Sequence, residues 1–126
     1  MLAVDTNVLV RLLARDDAAQ ALAADQAVAK GAWVSHLVLA EAIWVLDAVY
    51  ARTPKQMIAA LELLLVHESL VLQDADTVNA ALSQFRAKPA LGFSDCLVLE
   101  IARKAGHLPL ATFDKALAKL NGAQKL

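Results

Sequence analysis

The sequence predicts an α/β fold with a short, mostly parallel central sheet flanked by helices, on three observations. Short apolar runs of strand length are separated by longer segments of helical period. Helix-capping residues and Gly or Pro stand at the joins, leaving only brief connections. No repeat, linker or low-complexity tract interrupts the pattern, so one domain spans residues 1–126.

The elements follow in order. Residues 2–5 read as a short buried strand, and residues 6–14 as a helix whose Val8, Leu9, Leu12 and Leu13 recur at helical spacing. Asp16 or Asp17 caps a second helix towards Lys30, ended by Gly31, and residues 32–34 form a second strand. Ser35 caps a long helix to Tyr50. That helix is apolar nearly all round except at Glu41 and Asp47, which predicts burial on more than one side. Thr53 and Pro54 supply the cap and first position of a helix to about His67.

Residues 69–72 are a third strand, and Asp74 or Asp76 starts a helix through Arg86. A loop with Pro89 and Gly92 leads to a helix over residues 94–104, where Arg103 and Lys104 read as solvent-facing charges. Residues 109–111 make a fourth strand, Asp114 opens a short last helix, and the tail adds a marginal edge strand. Short apolar strands alternating with helices indicate a parallel sheet covered on both faces.

Composition narrows the function. A hydrophobic content of 59% and a mean hydropathy of +0.50 are high for a soluble monomer, so a second copy or a tight partner is expected to cover apolar surface. The single Cys96 excludes an internal disulfide and fits a reducing compartment, as a buried thiol without a chemical role. No run approaches the roughly 20 apolar residues of a membrane span. The apolar start lacks a basic leading region and contains Asp5 and Arg11, so it does not read as a signal peptide. A cytoplasmic protein is expected. The net charge of −1, from 12 basic and 13 acidic residues, gives no global attraction to nucleic acid, so such contacts must be local.

Four acids stand in apolar surroundings: Asp5, Glu41, Asp95 and Asp114. Carboxylates placed this way, two of them at predicted strand ends, suggest a shared and partly buried pocket beyond the carboxyl edge of the sheet. Converging carboxylates repel, and a hard cation such as Mg²⁺ or Mn²⁺ settles them with oxygen ligands while activating water against a phosphate. Capping is the bland reading of Asp5, Asp95 and Asp114, all near helix starts. Glu41 has no such role inside a helix, although an ion pair with an arginine would also account for it.

Thr6, Asn7, Ser94 and Thr112 are placed to orient waters or carboxylates. Arg11 and Arg15, one turn apart, form either a phosphate-contacting stripe for RNA or a solvated or partner-facing pair. His36, His67 and His107 lack zinc-motif spacing. Trp44 shares a helical face with Glu41 and reads as core or interface rather than a stacking platform.

Four segments in sequence, DTNVLVRLL from Asp5, LAEAIWVLDAVY from Leu39, GFSDCLVLEIARKAG from Gly92 and TFDKALAKL from Thr112, resemble PIN domains. The likeness is nearest to the toxin ribonucleases of bacterial VapBC toxin–antitoxin pairs. It implies a three-layer PIN-like fold and a homodimeric, Mg²⁺- or Mn²⁺-dependent endoribonuclease whose site is covered by a small antitoxin. By position it places the acids on Asp5, Glu41, Asp95 and Asp114, with Thr6, Asn7 and Thr112 as their polar companions. Gly92 departs from the acid many of these toxins carry before the aromatic residue of the third segment.

Two other classes remain open at this stage. A signalling receiver domain also has an acidic Mg²⁺ pocket on a small α/β sheet, but two successive helices between the first strands oppose its strict alternation. An inactive PIN-like binding module would keep the groove without chemistry.

Overall fold

Strands β1 (Leu2–Ala3), β2 (Ala32–Val34) and β3 (Leu70–Leu72) pair in parallel in that order, with Leu2 opposite Ala32 and Ala32 opposite Leu70. The computed structural model describes residues 1–126 and divides into two compact units, Met1–Ala75 and Asp76–Leu126. This sheet belongs to the first unit. Its helices are α1 (Thr6–Ala14), α2 (Ala18–Val28), α3 (His36–Ala48) and α4 (Pro54–Val66). Two helices do separate β1 from β2, so the strict alternation of a receiver domain is absent.

Capping chemistry sets the helix starts. Asp17 accepts from the Gln20 N–H at 3.0 Å and Ser35 from the Val38 N–H at 3.1 Å. Thr53 and Gln56 form a reciprocal capping box just ahead of Pro54, satisfying backbone donors that a helix leaves unpaired. Each cap is worth about 1 kcal/mol, which is why boundaries marked by these residues are legible in sequence.

Burial departs from expectation in three places, the first being β1, expected to be buried but exposed at both Leu2 and Ala3. In β2 and β3 the outer residues Ala32, Val34, Leu70 and Leu72 are buried while Trp33 and Val71 between them are exposed, an alternation that a sheet sealed on both faces would not show. Helix α3 buries Leu39, Ala42, Ile43 and Leu46 but leaves Leu37 and Trp44 more than 60% exposed, as is Val49 just past its end. Its all-round apolarity therefore includes an open face, and Trp44 is not a core residue.

The second unit contains all but the first residue of α5 (Ala75–Ala87), then α6 (Phe93–Ala105), β4 (Leu110–Thr112) and β5 (Ala123–Lys125). Phe85 and Phe93 meet edge to face at 6.2 Å, a favoured aromatic geometry. The fourth strand pairs in parallel with the tail strand, as a two-stranded sheet. The short last helix is only a 3₁₀ turn over Leu117–Lys119. Arg103 is not a free surface charge: its Nε donates to Glu100 Oε1 at 3.1 Å and its Nη2 to the Asn121 carbonyl.

Candidate active site

In the first unit, the chain leaves β1 and enters α1 through Asp5. Asp5 Oδ1 accepts from the Val8 N–H at 3.1 Å, so the capping role is real. A cap uses one carboxylate oxygen, and Asp5 is exposed. The next residue, Thr6, donates its hydroxyl to Glu41 Oε2 at 2.8 Å. Glu41, midway along α3 and also exposed, is thus held by a hydroxyl rather than by an arginine.

Asp5, Asn7, Val8 and Arg11 of the α1 side and Gln20, Ala23, Ala24 and Ala27 of α2 line a cavity of about 550 Å³. The small alanines leave that groove open. Arg11 is part of its wall, and Arg15 ties the end of α1 to α2. The Arg11 Nη1 donates to Asp16 and to the Tyr50 hydroxyl, each at 3.1 Å, and its Nε to Gln20. Arg15 holds Asp25 through two bonds of 3.0 and 2.6 Å. Both cations are therefore matched by carboxylates of their own unit. The Tyr50 hydroxyl, ahead of Arg11, holds the Asp16 carboxyl below its ordinary range, and Arg15 does the same for Asp25.

In the second unit, Asp95 lies in the first turn of α6 and is half-buried. The position before α6 is Gly92, which has no side chain to cap with, and Asp95 does not cap it either. Burial raises the Asp95 carboxyl above its ordinary value, and the negative charge of Asp114 raises it further. Two acids 19 residues apart are thereby brought close enough to repel. Asp114 is exposed; its Oδ1 accepts from the Leu117 N–H at 2.7 Å, and its own N–H donates to Thr112 Oγ1 at 3.0 Å. Thr112 thus orients the backbone that carries Asp114. Ser94 is exposed beside Asp95.

The expected partly buried pocket is corrected on one point: Asp5, Glu41 and Asp114 are exposed, and only Asp95 is partly withdrawn from water. The reason is local. Asp5 and Asp114 accept backbone N–H groups at the starts of a helix and a turn, where water also reaches them, and Glu41 lies on the solvent-facing side of α3. No group of three or more His, Cys, Asp or Glu side chains is drawn together as a metal-ion cluster. The donors themselves suit a hard divalent cation, being carboxylate oxygens, and the Asp95–Asp114 repulsion is what such a cation would relieve. Cys96 is buried, and its surroundings push the thiol up to about 11, in keeping with an inert role.

Sequence reasoning missed Gln20 and the Ala23–Ala27 floor of the cavity, which carry no motif. It also passed over Phe113, 79% exposed beside Asp114. An aromatic residue between two polar ones, in Thr112-Phe113-Asp114, was the available signal.

The first unit is α/β and carries Asp5 at the start of α1 and Glu41 within α3, and the second carries Asp95 in the first turn of α6 near Asp114. Compared with known families, the chain matches the PIN domain over residues 2–123, and it belongs to that family. PIN domains are generally nuclease domains, typically metal-dependent. A search of curated proteins returned no match. No helix is long and apolar enough to cross a membrane.

Proposed function

We propose that this protein is a Mg²⁺- or Mn²⁺-dependent endoribonuclease, the toxin of a type II toxin–antitoxin pair, with Asp5, Glu41, Asp95 and Asp114 as its carboxylates. The observation that carries the reading is the approach of Asp114 to Asp95: burial, and then the charge of Asp114, raise the Asp95 carboxyl above its ordinary value. Carboxylates held close together and partly out of water are a common feature of ion-binding and catalytic sites. A bound divalent cation would lower the pKa of the attacking water and neutralise charge on the phosphate.

The chain's own residues have separate tasks. Asp95 and Asp114 supply oxygen donors, and Asp5 retains an oxygen beyond its cap for the same purpose. Glu41, oriented by Thr6, takes the proton as water attacks phosphorus. The P–O3′ bond breaks and the departing O3′ takes a proton from solvent, leaving a 5′-phosphate on one product and a 3′-hydroxyl on the other. Asn7, Ser94 and Thr112 orient waters and backbone around these groups. Arg11 and Arg15 reach RNA phosphates by exchanging the Asp16 and Asp25 carboxylates that hold them.

The exposed apolar residues Leu37 and Trp44 of α3 and Val49 at its end support a second chain on this protein, as a homodimer partner or as the antitoxin. The reading is of one cytoplasmic domain. It is tested by cleavage of a mixed RNA pool with Mn²⁺, with Mg²⁺ and with chelator, using wild type, Asp5→Asn and Asp114→Asn. Cutting that needs metal and disappears in both variants supports it. Metal-dependent RNA cutting that survives both substitutions removes these acids from the chemistry, and binding of RNA without any cutting returns the inactive-module reading.

A further inference from the structure

Phe113 leaves 79% of its surface in water, yet it stands on fixed backbone. On its N-terminal side the Thr112 carbonyl accepts from the Leu126 N–H at 2.9 Å, within the β4–β5 pairing. On its C-terminal side Asp114 is tied through its N–H to Thr112, through Oδ1 to Leu117 and through its carbonyl to Ala118 at 3.0 Å. A phenyl ring held in solvent forgoes the free energy of its burial, and it has no polar atom to interact with water in compensation. The one thing it offers is a flat, positioned face.

The chemistry beside that face is specific. Phe113 is the immediate neighbour of Asp114, one of the two mutually repelling carboxylates, and the residues flanking it, Thr112, Asp114 and Lys115, are polar or charged. A ligand reaching this place must bring an apolar plane together with a group suited to carboxylates and a cation. An unpaired nucleotide does so: its base is flat and apolar on its faces, and its phosphate is attached a few ångströms away. Sequence-tolerant binding of single strands is built from aromatic rings on which bases stack.

We propose that Phe113 is a stacking platform for one unpaired base of the RNA, adjoining the phosphate handled at Asp114; this rests on the ribonuclease reading above. An apolar patch for a protein partner is the competing occupant, and it differs in one respect. A protein pocket accepts any side chain of suitable bulk, whereas stacking requires a planar one.

The test uses Phe113→Ala, Phe113→Leu and Phe113→Trp in the full chain. Steady-state cleavage is measured with Mn²⁺, and the fluorescence of single-stranded RNA carrying 2-aminopurine beside the cut is measured in chelator. At so exposed a position all three variants should keep the wild-type thermal midpoint. Stacking predicts that Ala and Leu raise KM about tenfold with little change in kcat and lose the 2-aminopurine quenching, while Trp retains both. Variants that all match wild type in KM and quenching overturn the platform and leave the nuclease standing. Leu behaving as wild type while Ala fails also overturns it, in favour of a protein contact. A wild-type protein that cuts no RNA removes the ribonuclease reading and the platform with it.

Discussion

The Thr6 hydroxyl reaches across 35 residues of chain to hold Glu41 Oε2 at 2.8 Å. Because Thr6 directly follows Asp5, the start of α1 both presents one carboxylate and orients another. Hydrogen bonds of this kind fix which oxygen of a carboxylate is left for chemistry. Thr6→Val should therefore lower metal-dependent cleavage about 10- to 100-fold while leaving the thermal midpoint nearly unchanged, since both partners are accessible to water. Thr6→Ser, which restores the donor, should recover most of the rate. Wild-type cleavage by Thr6→Val would show that Glu41 needs no orientation.

Asp95 carries a stability signature of its own. Burial, and then the charge of Asp114, make it bind a proton more readily folded than unfolded. Its contribution thus favours folding below the unfolded carboxylate value and is lost as pH rises through the raised folded value. In metal-free protein at neutral pH, Asp95→Asn should raise the thermal midpoint, and the advantage should vanish on acidification. Mn²⁺ should raise the wild-type midpoint more than that of the variant. An Asp95→Asn protein less stable than wild type at neutral pH, without metal, would contradict this account.

What could be read from sequence was what local chemistry decides. Helix α1 begins and ends where Asp5 and the Leu9/Leu12/Leu13 spacing place it, and Ser35 and Thr53-Pro54 mark their helices because a cap acts within three residues. The fate of long-range contacts was not legible. Nothing in Arg103 distinguishes a surface charge from one bonded to Asn121 eighteen residues later. Likewise the 110–112 strand has no local sign that its partner is the tail. At the site, the four acids were identifiable by type and context, but their exposure depends on how the helix starts face solvent, and the Thr6–Glu41 bond depends on the packing of α1 against α3.

Gly92, where the toxins resembled in sequence often carry an acid, stands in a backbone conformation that favours glycine. It closes the 3₁₀ turn Pro89–Leu91 and opens α6 at φ +79° and ψ 144°, a region nearly restricted to glycine. A Cβ there would meet nothing within 4 Å, so the obstacle is conformational rather than steric crowding. Installing an acid there, Gly92→Asp, should destabilise the fold by about 1–3 kcal/mol, read from urea unfolding. Gly92→Ala should cost a similar amount despite its small side chain. A neutral Gly92→Asp would mean that the turn relaxes to another conformation at little expense.

Arg103 supports the candidate site from behind. Its guanidinium joins Glu100, whose Oε2 is buried without a partner, to the Asn121 carbonyl. Gly122 follows at φ +95°, where a Cβ would come within 3.0 Å of that guanidinium. The Gly122 carbonyl then accepts from the Leu110 N–H at 2.8 Å, beginning the β4–β5 register that ends at Thr112, the residue orienting Asp114. Arg103→Gln leaves the Glu100 charge buried and uncompensated, a change that costs about 3–5 kcal/mol in a fully buried pair. With Arg103 one-third exposed, about 2 kcal/mol is expected. The loss should be local first: the Leu110 and Leu126 amides should lose hydrogen-exchange protection before those of α1, and cleavage should fall with them. Gly122→Ala should reproduce that pattern, because it displaces the same guanidinium. Uniform loss of protection through both units would instead mean that Arg103 supports global stability, with no particular hold on the strand that carries Asp114.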